Sequence, residues 1–100
     1  MFSRRILYVG SDHTLLEHLQ GELADCRIIR SPIASIARSL IEGINYTLLL
    51  FDEELPDGTG LELAEFACSM AHRQDTPFII IKQPCDFESL VRDIRRLLGG

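Results

Sequence analysis

Apolar and polar positions alternate along this chain in a pattern that predicts strands and helices in turn. Short apolar runs typical of buried strands lie at Ile6–Val9, Thr47–Phe51 and Phe78–Ile81. Cys26–Arg30 is a further predicted strand, and its two arginines favour a position at the edge of the sheet. Stretches with apolar residues every three or four positions, as on the inner face of a helix, run over about 12–24, 31–43, 59–70 and 86–98. Strands that alternate with helices predict an α/β fold, with an open parallel sheet covered by helices on both faces. We expect one domain over residues 1–100.

Polar residues at the predicted boundaries indicate where the helices begin. Asp12 and Asp86 stand just before the first and last helices, as capping residues do. Ser31–Pro32 predicts an N-cap followed by a first-turn proline for the second helix. Thr59 followed by Glu62 has the form of a capping box, which predicts the start of the third helix.

The third predicted strand ends in a carboxylate. The apolar run Thr47–Phe51 is followed by Asp52, and Lys82 follows the fourth strand in the same way. The carboxyl ends of parallel strands lie at one edge of the sheet, where ligands of α/β proteins bind. Adjacent parallel strands are about 5 Å apart, so Asp52 and Lys82 are predicted to be neighbours at that edge.

Composition narrows the classes of function. Of the 100 residues, 46% are hydrophobic and 25% charged, as in an ordinary soluble domain. The net charge of −5 argues against direct binding of nucleic acid, which requires a basic surface. No apolar run is long enough to span a membrane, and no signal peptide is recognisable, so we expect a cytoplasmic location.

Other candidate chemistry is sparse. The histidines His13, His18 and His72 have no metal-binding spacing and are predicted to lie on the surface. The three cysteines are widely spaced, which predicts buried, reduced thiols rather than disulfides. No glycine-rich nucleotide-binding loop follows the first strand. No pairing of nucleophile and base is readable either, so we expect that the protein is not an enzyme.

The sequence resembles receiver domains of two-component response regulators over almost its whole length. The residues that carry the resemblance are the first strand Arg5–Val9, then Asp52, Pro56 and Gly60, and the step Lys82–Gln83–Pro84. The resemblance implies a flavodoxin-like three-layer sandwich in which Asp52 would accept a phosphoryl group from a histidine kinase. Receivers also have a pair of acids after the first strand that hold Mg²⁺. A Thr or Ser after the fourth strand and a Lys after the fifth contact the phosphoryl oxygens.

Two departures from the receiver pattern change these expectations. Gly10 and Ser11 stand where the resemblance places the acid pair, and the nearby Asp12 is favoured as a helix cap. Asp52, Asp12 and Ser11 remain as candidate Mg²⁺ ligands, but a site with so few anionic groups implies strongly reduced affinity, so no cofactor is expected. Phe78–Ile81 also runs directly into Lys82, so one strand–helix unit is missing. We therefore expect a truncated sheet of about four strands in the order 2-1-3-4.

Lys82 occupies the position of the receiver's switch hydroxyl and allows two interpretations. It either forms an ion pair with Asp52, which we favour, or is a solvated residue where the strand leaves the core. Glu53, Glu54 and Asp57 add negative charge to the same edge, which would repel a phosphoryl group in the absence of a cation.

These observations favour an atypical receiver that acts mainly as a protein-interaction module. Its partner would be a histidine kinase or an output protein. The alternative is a working phospho-acceptor, with Asp52 modified through Ser11, Asp12 and Lys82. The missing unit would expose apolar surface, which predicts a homodimer through the last strand or the last helix. The interface candidates are Phe78, Ile80, Phe87, Leu90 and Ile94.

Overall fold

The protein is an open parallel sheet between two layers of helices, as shown by a computed structural model that describes residues 4–70 and 75–99. In chain order the elements are β1 (Arg4–Val9), α1 (His13–Glu22), β2 (Cys26–Ser31), α2 (Ala34–Gly43), β3 (Leu48–Asp52), β4 (Glu54–Leu55), β5 (Gly58–Thr59), α3 (Gly60–Cys68), β6 (Phe78–Ile81) and α4 (Phe87–Leu97). The main sheet has four strands in the order β2-β1-β3-β6. This confirms the predicted order 2-1-3-4, in which β6 is the fourth strand.

Two hydrophobic cores lie on opposite faces of this sheet. Ile6 and Tyr8 of β1 face the core under α1 and α4, whereas Leu7 and Val9 face the core under α2 and α3. Successive side chains of a strand point to opposite faces, so an entirely apolar strand fits only where both faces are covered. β1 and β3 therefore occupy the centre of the sheet, as their sequences indicate.

Two of the predicted helix starts are confirmed in detail. The Asp12 side chain accepts a hydrogen bond of 3.0 Å from the backbone N–H of Leu15 at the start of α1. At the start of α3, Thr59 and Glu62 form the predicted capping box. These caps satisfy N–H groups that have no partner within the helix.

The predicted start of the second helix is wrong. Ser31 is the last residue of β2, where it pairs with Val9, and α2 begins only at Ala34. The Asp57 carboxylate accepts hydrogen bonds from the backbone N–H groups of Ala34 (2.7 Å) and Ser35 (3.0 Å). The cap is therefore supplied by a residue distant in sequence, because pairing in the sheet already holds Ser31.

The short β4–β5 hairpin was not predicted. It pairs Glu54 with Thr59 and carries Asp57 at its tip. Its exit requires a glycine at position 60, because a Cβ there would lie 2.5 Å from the backbone oxygen of Asp52. The hairpin thus packs directly against the end of β3 and brings Asp57 to the start of α2.

The predicted positions of the histidine side chains agree with the structure where it describes them. His13 and His18 are exposed, as predicted, and His72 lies outside the described residues. Leu97, an apolar residue of the predicted last helix, is 42% exposed. All three cysteines are free, as predicted, but they are not buried: Cys26 and Cys85 are half-buried and Cys68 is exposed. Within the described residues, no helix combines the length and the apolar character needed to cross a membrane.

Candidate functional site

Asp52 lies at the carboxyl edge of the sheet, as the sequence predicts. It is the last residue of β3, pairs with Ile81 of β6, and is half-buried. A cleft of about 350 Å³ adjoins it, lined by Asp52, Glu53, Glu54, Ile81 and Gln83. The carboxylate is therefore at an edge that a ligand or partner can reach.

The nearest partner of the Asp52 carboxylate is Tyr8. The Tyr8 hydroxyl donates a hydrogen bond of 3.0 Å to Asp52 Oδ1 and accepts one of 3.3 Å from the backbone N–H of Asp12. Tyr8 is fully buried between α1, α4 and the sheet. A buried tyrosine hydroxyl needs a polar partner, and Asp52 satisfies that need.

The pairing of β1 with β3 explains how Tyr8 reaches Asp52. Tyr8 pairs with Leu50, and Asp52 is the next residue beyond Leu50 on the same face of β3. It lies about 6–7 Å further along the strand, a distance that a tyrosine side chain can span. Sequence reasoning missed this contact. The one signal that pointed to it was a tyrosine within an otherwise apolar strand.

The structure leaves no space for a side chain at position 10. A Cβ on Gly10 would clash with Asp52 Oδ2 and would lie 2.5 Å from Tyr8 Oη. Contacts that short do not occur, so either Asp52 or Tyr8 would have to move. Gly10, which stands where receivers have a metal-binding acid, thus allows the hydrogen bond between Tyr8 and Asp52.

Burial sets the protonation behaviour of this pair. Burial raises the pKa of Asp52, while the hydrogen bonds from Tyr8 and from the backbone N–H of Ser11 counteract that rise. The pKa of Tyr8 is also raised, first by burial and then by the negative charge of Asp52. The raised pKa of Tyr8 favours the protonated hydroxyl, which is the form that donates to Asp52.

The other candidate metal ligands have different roles. Asp12 caps α1 through its side chain, and the Ser11 side chain is exposed while its N–H faces Asp52. Residues 4–70 and 75–99 contain no group of three or more His, Cys, Asp or Glu side chains that could hold a metal ion. Ser11 and Asp12 therefore contact the region around Asp52 mainly through their backbone N–H groups.

The favoured ion pair between Asp52 and Lys82 does not form. In the described part of the chain, the side-chain ion pairs are Arg95 with Glu22 and Arg96 with Asp93. Asp52 pairs with Ile81, which faces the core shared with Tyr8. Lys82 comes one residue later, and alternation directs it away from that face and into solvent. The structure agrees with the second interpretation, in which Lys82 is a solvated residue.

The predicted interface residues divide into two groups. Leu90 and Ile94 of α4 are buried inside the protein's own core, so the prediction that they form an interface is wrong. α4 packs on the same face of the sheet as α1, and this packing buries the apolar side of α4. Phe87 and Ile80 are half-buried, and Phe78 is 38% exposed.

Comparison with known proteins identifies the fold. No protein-family model and no curated protein matches the sequence. The non-phosphorylated receiver domain of HemR from Leptospira biflexa is similar, with a TM-score of 0.84 and 23% identity over 98% of this chain and 96% of that one. The receiver domain of a Syntrophus aciditrophicus signal transduction histidine kinase gives 0.84 and 19%, over 98% and 92%.

A third similar structure contains a metal ion. It is the receiver domain of a sensor histidine kinase from Pseudomonas aeruginosa PAO1, with magnesium coordinated in its active-site cleft. Its TM-score is 0.82, at 16% identity over 99% of this chain and 100% of that one. The chain thus has the CheY-like receiver fold, as the resemblance predicted, and identities this low establish the fold alone.

The lack of space at position 10 leads to a prediction about stability. We expect Gly10→Ala to lower the free energy of unfolding by about 1–3 kcal/mol, since it overpacks the space beside Asp52. Part of this loss should be absent when the same substitution is made in a Tyr8→Phe background, because Asp52 can then move. Urea unfolding of the single and double variants measures this coupling.

Gly21→Ala is the matched control for that experiment. Gly21 lies in α1, and a methyl group added there would meet nothing within 4 Å, so alanine should stabilise the helix by roughly 0.5–1 kcal/mol. Equal effects of Gly10→Ala with and without the Tyr8 hydroxyl would contradict the assigned geometry.

A second prediction concerns the pKa of Asp52. Removing the hydroxyl with Tyr8→Phe should raise this pKa further, because a hydrogen bond that favours the carboxylate is lost. Because the pKa of Asp52 is raised in the folded protein, protonation of this carboxyl favours folding at low pH. That contribution to stability is lost as pH rises through the folded-state pKa. Carboxyl ¹³C NMR titration of both proteins measures the shift.

Asp57 serves as the internal reference in the same titration. Its pKa is lowered, chiefly by the hydrogen bond from the Ala34 N–H, and Tyr8 takes no part in that contact. It should therefore titrate identically in both proteins. An Asp52 midpoint that is unchanged or lowered by Tyr8→Phe would refute the role given to the hydroxyl.

Proposed function

We propose that this chain is an atypical receiver domain of two-component signal transduction that acts mainly as a protein-interaction module. Phosphorylation that depends on Mg²⁺ would be impaired or absent. The observation that carries the proposal is the hydrogen bond between Tyr8 and Asp52. It occupies the one carboxylate that the receiver fold would use as phospho-acceptor.

The residues beside Asp52 are a poor match for Mg²⁺. This ion requires nearly octahedral oxygen ligation, and carboxylates provide most of its attraction to proteins. Gly10 contributes no side chain, Ser11 contributes at most a neutral hydroxyl, and Asp12 is engaged as the cap of α1. A carboxylate at position 10 would require Asp52 or Tyr8 to move.

The charge around Asp52 also supports an impaired phospho-acceptor. Glu53 and Glu54 are exposed beside the cleft, and no ion pair brings Lys82 to Asp52 within the described residues. A phosphoryl group adds between about −1.5 and −2 charges at neutral pH. Without a cation to offset it, that charge would be repelled by the neighbouring glutamates.

The alternative function is a working phospho-acceptor that receives its phosphoryl group from a histidine kinase. The observation that favours it is the position of Asp52, which is half-buried and opens onto the cleft at the sheet edge. Modification would then require the Tyr8 hydroxyl to give up Asp52. The two functions thus differ in whether the Asp52 carboxylate can be released from its hydrogen bond with the Tyr8 hydroxyl.

Partners and location follow from the same proposal. We infer a cytoplasmic signalling protein without catalytic activity of its own, which binds a histidine kinase or an output protein. The predicted homodimer remains part of the proposal. Leu90 and Ile94 are buried in the core and are no longer interface candidates.

Amide NMR spectra recorded during addition of Mg²⁺ and then beryllofluoride test the proposal. We expect no saturable shifts around Asp52 at millimolar Mg²⁺ in the unchanged protein. Saturable shifts that disappear in Asp52→Asn would establish the alternative. Tyr8→Phe is the informative comparison, because it frees the Asp52 carboxylate from its hydrogen bond to the hydroxyl while keeping the aromatic ring in the core.

A further inference from the structure

The β1–α1 connection, residues 10–12, adjoins the Asp52 carboxylate through its backbone. The N–H of Ser11 faces Asp52, and the N–H of Asp12 donates to the Tyr8 hydroxyl. That hydroxyl in turn donates to Asp52. The hydrogen bonds around the carboxylate therefore depend on where the backbone of this connection lies.

A side chain distant in sequence holds one backbone group of the β1–α1 connection. Arg30 Nε donates a hydrogen bond of 3.1 Å to the carbonyl oxygen of Gly10. β1 and β2 pair as far as Val9 and Ser31, and the Gly10 N–H still donates to the Ser31 carbonyl. The Gly10 carbonyl lies beyond this ladder, so a side chain supplies the donor that a backbone carbonyl needs.

Strand register places Arg30 for this contact. Arg30 pairs with Tyr8 of β1, and residues paired in this way have their side chains on the same face of the sheet. The arginine is half-buried. Among residues 4–70 and 75–99, no ion pair includes it. Its observed contribution to the site is therefore a hydrogen bond and not a charge pair.

We propose that Arg30 is a positioning residue: by holding the Gly10 carbonyl, it keeps the N–H groups of the β1–α1 connection directed at the Asp52 carboxylate and its hydroxyl partner. The inference deepens the proposed function and rests on it, since it names what holds the surroundings of the same carboxylate in place. It assigns this role to the Nε–H donor of Arg30 and not to its charge.

This role bears on the alternative function. For Asp12 to become a metal ligand beside Asp52, its carboxylate would have to release the N–H of Leu15 at the start of α1. The β1–α1 connection would then have to turn, which would pull the Gly10 carbonyl away from Arg30. Arg30 thus opposes the arrangement that Mg²⁺ would need.

Two substitutions of Arg30 separate its hydrogen bond from its charge. Arg30→Gln and Arg30→Met both remove the charge. The glutamine Nε2 is as many bonds from Cα as the arginine Nε and also carries an N–H donor, whereas methionine has a similar length and no donor. Arg27→Met serves as the control, because Arg27 is exposed on the same strand.

Amide hydrogen exchange of the full chain, measured by NMR, is the first readout. In Arg30→Met we expect exchange at Ser11 and Asp12 to be about fivefold faster, after correction for Leu49, as for the loss of one hydrogen bond. Leu49 is fully buried in β3 and reports global unfolding. Arg30→Gln and Arg27→Met should exchange like the unchanged protein.

The pH titration of the Ser11 amide is a readout that general loosening of the fold would not produce. In the unchanged protein this amide should shift as Asp52 titrates, because its N–H faces that carboxylate. The shift should become smaller in Arg30→Met and be retained in Arg30→Gln.

Exchange of the arginine Nε–H protons with water requires no variant. In the unchanged protein, the Arg30 Nε–H should exchange at least about fivefold more slowly than that of Arg27. Equal exchange of these two protons would overturn the proposal. So would equal behaviour of Arg30→Gln and Arg30→Met, or an Arg30→Met variant in which Leu49 accelerates as much as Ser11.

These measurements do not involve Mg²⁺. A result that removes the role of Arg30 would therefore leave the proposed function standing. Saturable Mg²⁺ binding by the unchanged protein would instead refute the proposed function, and the effects of Arg30→Met and Arg30→Gln would be judged separately.

Discussion

The hydrogen bond from the Tyr8 hydroxyl to Asp52 is the contact on which the rest of the site depends. It joins the two central strands at their carboxyl ends and lets a buried tyrosine satisfy its polar group. It also explains Gly10, since any side chain there would displace one member of the pair. Asp12 completes the arrangement, because its N–H bonds to the same hydroxyl while its carboxylate caps α1. The Tyr8 hydroxyl thus connects β1 with the end of β3 and with the residue that caps α1.

The four-stranded sheet ends at β6, which determines what the last helix covers. α4 follows β6 in the chain and packs on the same face of the sheet as α1, so its apolar side is buried within the monomer. The outer edge of β6 is left open, with an exposed phenylalanine and no charge of its own. The described residues thus present a half-buried carboxylate that is hydrogen-bonded to Tyr8 and a strand edge without a paired neighbour.

Local patterns predicted the order of the elements, because it follows from hydrophobic periodicity. The strand order was implied by the resemblance to receiver domains. Local patterns also predicted the caps at Asp12 and Thr59, whose partners lie within three residues. The failures involve partners distant in sequence. Asp57 caps α2 through an unpredicted hairpin, and Tyr8 rather than Lys82 contacts Asp52. Such contacts depend on strand register and on the face to which each side chain points, which the sequence does not specify residue by residue.

A crystal structure of the protein grown in millimolar Mg²⁺ is the most direct test of the contact between Tyr8 and Asp52, because it locates the two side chains and any bound ion together. We expect that Tyr8 Oη still donates to Asp52 Oδ1, at a distance near 3.0 Å, and that no ion contacts the carboxylate. An Mg²⁺ ion ligated by Asp52, with the Tyr8 hydroxyl displaced from it, would show instead that the carboxylate is free to hold a metal.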